Sequence, residues 1–447
     1  MTSICIDGFN ISLQRGTGIA TYGRTLLNTI QDLGLQTQVL YGPPTASPRK
    51  NALLQEVALA DAERKLPRIR RSVRAIRTLP NPWGRIARPV KPTGEVIWPA
   101  DNRSQPSAES YWSADNLFYY ANRSFKSYGT ITTVSFAGSK ESPAPAAMHW
   151  TATLPLRARG TFNIHTIHDL VPLRLPHSTT EDKKSYYDLC QSIVRNADHI
   201  ITVSETTKSD IIRIFSADPA RISNTYQTIS ASNSEKTRSD DNVANELDFY
   251  FQLRWKDYFL FYGAIEPKKN VGRLVEAYLS SGTSKPLVIV GGRSWLGEYE
   301  TSFLNQVKRD DSRAGRQIRQ IDYLPQAILK SIVRGARATL FPSLYEGFGL
   351  PVIESMAQGT ATLTSTEGSM PEIAGDASLL VNPYDVTAIA KGIQTLDVDD
   401  DFRDDLVSRG LRRSQYFSQD AYRRRLANAY AEAGLFSGTD DASPIRL

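Results

Sequence analysis

The sequence predicts an α/β protein built from two parallel-sheet domains. Three observations lead there. Short apolar runs alternate with helical patterns along most of the chain, the pattern of parallel βα units. Its 447 residues suffice for two to three domains of about 150 residues each. A polar stretch, Ser230 to Glu246, then separates two such series.

The strand-like runs are Ser3–Ile6, Thr37–Tyr41, Ile164–Ile167 and Ile200–Val203 in the first series. In the second they are Phe259–Tyr262, Leu287–Val290, Ala338–Phe341, Ala361–Thr364 and Ser378–Val381, with a further strand ending Arg319-Gln320-Ile321. Several run directly into Gly, His-Asp or Ser-Glu. Open parallel sheets bind ligands at the carboxyl ends of their strands, so function is sought there. The polar stretch sets the boundary near residue 250. The division is an N-terminal domain over 1–250, a C-terminal domain over 251–415, and a helix with a frayed tail over 416–447. Residues 44 to 150, rich in proline, resist assignment.

Composition excludes several classes. No apolar run reaches 18 residues, so no membrane span is expected. Met1 to Gly8 reads as a first strand and not as a signal peptide. Cys5 and Cys190 are the only cysteines, too few for a disulfide framework or a thiolate metal site. The cytoplasm is the expected compartment. The net charge of +6 conceals a patch: ten Lys or Arg and no acid lie between Arg64 and Lys91, which leaves −4 for the rest.

The sharpest local signal is Phe341-Pro-Ser-Leu-Tyr-Glu-Gly-Phe-Gly-Leu-Pro-Val-Ile-Glu-Ser-Met-Ala-Gln-Gly359. A strand ends at Phe341, Pro351 suits the first turn of a helix, and Gly359 suits its end. Gly347 and Gly349 let backbone amides approach a ligand, and the helix start offers free N–H groups to phosphate. Glu346 and Glu354 frame that loop. Beside a diphosphate they are suited to accept hydrogen bonds from hydroxyls, one on each side. The pattern hydroxyl, diphosphate, hydroxyl describes a nucleotide sugar. The plainer reading is a strand-loop-helix with two surface glutamates. In the first half, His168-Asp169 follows a strand, where it could contact a sugar or cap its own loop.

The stretch Glu346 to Glu354, two glutamates with seven residues between, resembles the hallmark of retaining glycosyltransferases of family 4, which have the GT-B fold. Phe261-Tyr-Gly-Ala-Ile-Glu-Pro-Lys-Lys-Asn270, Val290-Gly-Gly-Arg293, Gly335-Ala-Arg337 and Pro371-Glu-Ile-Ala-Gly375 fall in family order, so the likeness runs from about 255 to 395. Arg15-Gly-Thr-Gly18-Ile-Ala-Thr-Tyr22 resembles the family's N-domain glycine loop, which approaches the donor from across the cleft. Thr166–Pro172 and Thr202–Glu205 match near the sugar site.

The resemblance implies two Rossmann-like domains facing across a cleft, and roles for particular residues. Glu346 would hold hydroxyls of the donor sugar and Glu354 those of the ribose. Lys269 would neutralise the diphosphate, and the amides of Gly349 and Leu350 would complete its cradle. His168 and Asp169 belong to the active site, and Gly18 lies on the donor's other side. Tyr323 lines the base pocket or is simply a buried aromatic. One departure stands out: Ala264 follows Gly263 where many members have arginine, leaving more charge to Lys269, with Lys268 or Arg293 as helpers. No Asp-x-Asp motif sits at a matching place, so neither metal nor cofactor is expected and the nucleoside-diphosphate sugar is a substrate. Overall likeness to mannosyltransferases of bacterial surface-polysaccharide assembly implies GDP-mannose or a similar GDP-sugar, and a glycan or lipid-linked glycan acceptor. The alternatives are a sugar-nucleotide epimerase of the same architecture and a non-catalytic sugar-nucleotide-binding subunit.

The basic segment has two readings. Leu66, Ile69, Val73 and Ile76 share one helical face and Arg70, Arg74 and Arg77 another, with Pro80, Pro82 and Trp83 following. It is either a helix lying on an anionic membrane, which would make the protein peripheral on the inner face of the cytoplasmic membrane, or an arginine-rich helix packed on its own domain. Nucleic acid is not expected, since no recognition module appears.

Overall fold

A computed structural model describes residues 2–11, 18–43, 51–60, 84–96, 108–229, 238–292, 304 and 317–435. Among them two sheets form. The first contains β1 (Ser3–Asp7), β2 (Gln36–Tyr41), β3 (Arg85–Val90), β4 (Ser110–Ser113), β5 (Thr132–Phe136), β6 (Ala147–Trp150), β7 (Leu156–Ala158), β8 (Phe162–Ile167), β9 (His199–Thr202) and β10 (Ile222–Asn224). Their order is β10-β9-β8-β6-β1-β2-β4-β3-β5-β7. The second holds β11 (Phe259–Tyr262), β12 (Leu287–Val290), β13 (Ile318–Ile321), β14 (Ala338–Phe341), β15 (Ala361–Ser365) and β16 (Leu379–Val381), in the order β13-β12-β11-β14-β15-β16.

Every pairing in the second sheet is parallel. β11, β12 and β14 are buried at every position, as strands covered by helices on both faces must be. The first sheet departs from a purely parallel arrangement at one place, where β3 runs antiparallel to β4. In both sheets the sequence order reverses near the middle, beside β1 and beside β11. The crevices there, at the strands' carboxyl ends, are the ligand positions of open parallel sheets.

The linker region has a structure of its own at its end. Helix Asp240–Phe251 is capped by Ser239, whose hydroxyl accepts the Asn242 N–H. Its Val243 and Leu247 bury with Tyr258, Leu260 and Ile332 in the second domain's core. That helix therefore packs into the second domain although it begins before residue 250. At the other end, helix Gln419–Glu432 crosses back to the first domain. The Tyr430 hydroxyl lies 2.7 Å from His149 Nδ1, the Ser223 hydroxyl donates to Glu432, and the Gln419 amide donates to Thr29. The chain thus ties its two domains twice. Residues 436–447 lie outside the described residues, as do Arg64 to Trp83 with the whole expected basic helix. No described helix is long and apolar enough to cross a membrane.

Candidate active site between the two domains

The glycine loop occupies the cleft. β14 delivers the chain to Phe341, and helix Leu350–Ala357 starts after Gly349 with Pro351 in its first turn. Gly349 sits at φ +96°, and a β-carbon there would overlap the terminal methyl of Met370. Gly347 is constrained from the opposite domain: a β-carbon would overlap the His168 carbonyl oxygen and crowd Asp169. The two motifs read separately from sequence are thus pressed together, and glycine is required where they touch.

Two lysines converge on Glu346. Lys269 Nζ lies 3.0 Å from Oε1 and 4.7 Å over the Phe341 ring, and Lys268 Nζ lies 3.3 Å from Oε2. A short turn over Pro267–Lys269 aims them, and Asn270 locks it. Asn270 adopts φ +62°, and its amide donates to the carbonyls of Pro342 and Pro383. The Lys269 side chain then runs along Gly263, 3.5 Å from where a β-carbon would stand. Burial alone would push the Glu346 carboxyl up. The Lys268 and Lys269 ammoniums and their hydrogen bonds outweigh it and hold the carboxyl down at about 2. Burial likewise works against the Lys268 ammonium, but Glu346, Asp169 and Glu266 raise it well above the ordinary lysine range.

Glu354 sits a turn into the helix in a contrasting environment. Burial pushes its carboxyl up to about 7, against which the Tyr262 hydroxyl, 3.3 Å away, and Lys330 pull only weakly. The carboxyl lines a cavity of about 520 Å³, whose wall includes Tyr262, Gln326, Leu329, Lys330 and Gln358. It is large enough for the nucleoside part of a ligand.

From the first domain, His168 Nε2 lies 2.8 Å from the Thr151 carbonyl oxygen. A carbonyl only accepts, so Nε2 carries the proton and Nδ1 keeps its lone pair. Burial pushes the imidazole below its ordinary range, and the Thr151 bond and Asp169 oppose this. Asp169 caps its own loop: Oδ1 accepts the Val171 N–H at 3.0 Å. It also faces Gly347 and acts electrostatically on Lys268. The loop-capping and cleft readings of Asp169 therefore describe the same side chain. Gly18 reaches the site from the other side, 3.8 Å from a Leu350 methyl as measured from an added β-carbon.

Glu346, Lys269, His168, Asp169, Gly18, Gly349 and Leu350 are thus gathered, with Glu354 at the far end of the same helix start. Tyr323 is not a buried aromatic. It stands 72% exposed after β13 and is not among the residues that line the cavity. Arg293 and Arg15–Thr17 lie outside the described residues. Sequence reading assigned no role to Tyr262 or Lys330. Tyr262 ends a strand at the sheet's carboxyl edge, which was a usable signal; nothing marked Lys330. Among the described residues no three His, Cys, Asp or Glu cluster to hold a metal ion.

Comparison with known proteins places this arrangement in a class. Residues 251–413 match the glycosyl transferases group 1 and residues 144–229 match glycosyltransferase family 4. Sucrose-phosphate synthase from Thermosynechococcus elongatus superposes with a TM-score of 0.65 over 97% of this chain and 99% of that one, at 16% identity. The protein is a glycosyltransferase of GT-B fold. The chain is 34% identical over 273 residues to the O-antigen chain mannosyltransferase B of Escherichia coli, covering 60% of this chain and 69% of that protein. It is 29% identical over 245 residues to the O-antigen chain mannosyltransferase RfbU of Salmonella typhimurium, covering 55% and 63%. It belongs to the family of glycosyltransferases that includes these O-antigen chain mannosyltransferases.

Proposed function

We propose that the protein transfers a hexose, with retention of configuration, from a GDP-sugar to a glycan or lipid-linked glycan in surface-polysaccharide synthesis, GDP-mannose being the first donor to test. The observation that carries the reading is the convergence on one loop of the Glu346–Lys268–Lys269 cluster, the start of helix Leu350–Ala357 and the His168 loop. The relatives' names, which specify mannosyl transfer to O-antigen chains, support the sugar and the acceptor class.

The chemistry follows from charge. A nucleoside diphosphate leaves carrying negative charge, and the Lys269 ammonium, drawn from Glu346, meets it with the free N–H groups of Gly349 and Leu350. Glu346 accepts hydrogen bonds from hydroxyls of the sugar and Glu354 from those of the ribose. His168, neutral and proton-bearing at Nε2, offers Nδ1 as an acceptor to a sugar or acceptor hydroxyl. The acceptor oxygen enters on the face from which the diphosphate leaves. Lysines in place of a metal ion make the reaction metal-independent.

A thermal-shift panel of GDP, UDP, GDP-mannose and UDP-glucose tests the donor. A ligand at a hundred times its Kd adds about 2.7 kcal/mol of stability. Stabilisation by the uridine set alone removes guanine from the reading, and none by any of the four removes the donor site. Incubation with GDP-mannose alone, if it returned an epimerised sugar, would put epimerase in place of transferase. The segment Arg64–Lys91 is proposed to meet an anionic membrane. Of its described members Arg88 and Lys91 are exposed, and Lys91 pairs with Glu141 at 2.7 Å, so an acid distant in sequence relieves one of the ten charges. Failure to co-sediment with anionic vesicles at low salt ends that part.

A further inference from the structure

One helix of the first domain, Glu205–Phe215, is gripped at two points by the second domain, and both grips flank the Glu346 loop. At its start the ordinary accounting of free N–H groups is complete only across the cleft. The Ser204 hydroxyl accepts the Thr207 N–H as an N-cap, and the Lys208 N–H reaches the Ser204 carbonyl. The two remaining donors, Glu205 N–H and Thr206 N–H, both go to the carboxylate of Glu372 in the second domain, each at 3.0 Å. The Tyr226 hydroxyl adds a longer bond to the same carboxylate at 3.4 Å. One turn further along the same face, Asp210 accepts the Tyr345 hydroxyl at 2.5 Å, and Arg174 lies 3.5 Å from that carboxylate.

Each grip leads directly to the site. Tyr345 is the residue before Glu346. Glu372 lies in the short helix Met370–Ala374, held to its own domain by Arg413, which donates to the carbonyls of Glu372 and Ile373. The Ser369 hydroxyl at the head of that helix is 2.9 Å from the Glu346 carbonyl oxygen and 3.1 Å from that of Phe348, and Met370 packs on Gly349. A displacement of Glu372 relative to helix Glu205–Phe215 therefore moves the glycine loop relative to His168, where Gly347 leaves no slack.

We propose that Glu372, seconded by the Tyr345–Asp210 bond, is a positioning residue: it sets the register of the Glu346 loop against the His168 loop when the domains close. It makes no contact with the donor. A carboxylate that accepts two N–H groups at a helix start is a charge-assisted grip, strong enough to matter and exposed enough to release. The inference rests on the transfer reading only for its kinetic half.

Two measurements test it on the full chain. Cys5 and Cys190 are buried, so donor and acceptor dyes on Lys126→Cys and Lys391→Cys report interdomain distance. In the ligand-free protein Glu372→Ala shifts the transfer efficiency toward the open form, Glu372→Gln, which keeps one acceptor oxygen, shifts it less, and Tyr345→Phe acts in the same direction. In steady-state transfer from GDP-mannose, Glu372→Ala lowers kcat by on the order of tenfold to a hundredfold, the scale of lost charged hydrogen bonds, while calorimetric affinity for GDP stays within about twofold of wild type. A merely structural residue would lower the melting temperature and leave both the interdomain distance and the kcat-to-affinity split unchanged. That result overturns the proposal, as does a GDP affinity that falls in step with kcat. If the wild type transfers nothing from GDP-mannose, the donor reading fails and the distance measurement decides the grip by itself.

Discussion

If Glu354 holds the ribose as proposed, its ionisation makes donor binding depend on pH in a stated direction. Burial lifts this carboxyl from an ordinary 4.5 to about 7, and neither the Tyr262 hydroxyl nor Lys330 restores it. Holding it ionised in the ligand-free protein costs at most about 3 kcal/mol, and water in the adjoining cavity reduces that figure. Because the folded value is raised, the stability that the protonated carboxyl contributes is complete below about pH 4.5 and is lost as pH rises through 7. Donor binding reverses the balance. On the proposed contact, ribose hydroxyls donate to the ionised form, so the nucleotide selects the carboxylate and expels a proton.

With a carboxyl at about 7, roughly one in eleven molecules carries the carboxylate at pH 6 and ten in eleven at pH 8, a difference of about tenfold in affinity. GDP-mannose is the ligand of choice, because its diphosphate diester does not titrate in this range as the terminal phosphate of GDP does. Calorimetry between pH 5.5 and 8.5, in buffers of different ionisation enthalpy, is expected to show the tenfold weakening toward acid and proton release near neutrality. Glu354→Gln is expected to flatten the profile. A wild-type affinity independent of pH, or a Glu354→Gln profile as steep as that of the wild type, refutes the assignment of the ribose contact to Glu354.

Two further outcomes concern the diphosphate. Lys269→Ala is expected to lose about a hundredfold or more in transfer rate, the scale of one electrostatic stabiliser, with a melting temperature that falls far less than activity; steady-state kinetics beside a thermal melt checks both. Transfer by the wild type is expected to continue in excess chelator, and an activity abolished by chelation and restored by Mg²⁺ or Mn²⁺ would replace lysine by a metal ion in the reaction.

The second domain was legible because its strands are continuous apolar runs. Phe259–Tyr262 and Leu287–Val290 are buried on both faces, and no alternation is needed to recognise them. The outer half of the first sheet was not. β3 carries Arg85, Arg88 and Pro89, β5 is mostly half-buried, and β7 spans three residues around an exposed Arg157. Strands of that kind are specified by partners, not by composition. The same division holds in the site. Gly347 and Gly349 were legible as local conformation, and Lys269 only through the family resemblance. That Glu346 pairs with both lysines, that Gly347 abuts His168, and that Glu372 reaches helix Glu205–Phe215 depend on distance in space between residues 77 to 179 positions apart, as for Lys269–Glu346 and Gly347–His168. No spacing rule in one sequence encodes such contacts.

The two glutamates of one motif are shifted in opposite directions, which bears on what Glu346 does before the donor arrives. Glu354, without a strong cation, sits at about 7; Glu346, between two ammoniums, sits at about 2. The cluster of Lys268, Lys269 and Glu346 is net positive, and its one anion occupies the lysines that a diphosphate would use. On the proposed roles, donor binding draws at least one ammonium away from the carboxylate, which then turns to sugar hydroxyls. Glu346→Gln separates these roles. It leaves the partly buried Lys269 without its carboxylate and Lys268 with only Glu266 and Asp169, and up to about 3–5 kcal/mol of stability is expected to be lost. A diphosphate supplies the missing charge, so GDP is expected to bind about as tightly as to wild type or more tightly, by up to about tenfold, and to raise the melting temperature more. Transfer is expected to fall by about tenfold to a hundredfold, since an amide holds hydroxyls more weakly than a carboxylate. Calorimetry with GDP, thermal melts with and without it, and transfer from GDP-mannose measure the three effects. Weaker GDP binding to Glu346→Gln would show instead that the carboxylate serves to orient the lysines, and the competition between Glu346 and the diphosphate would have to be abandoned.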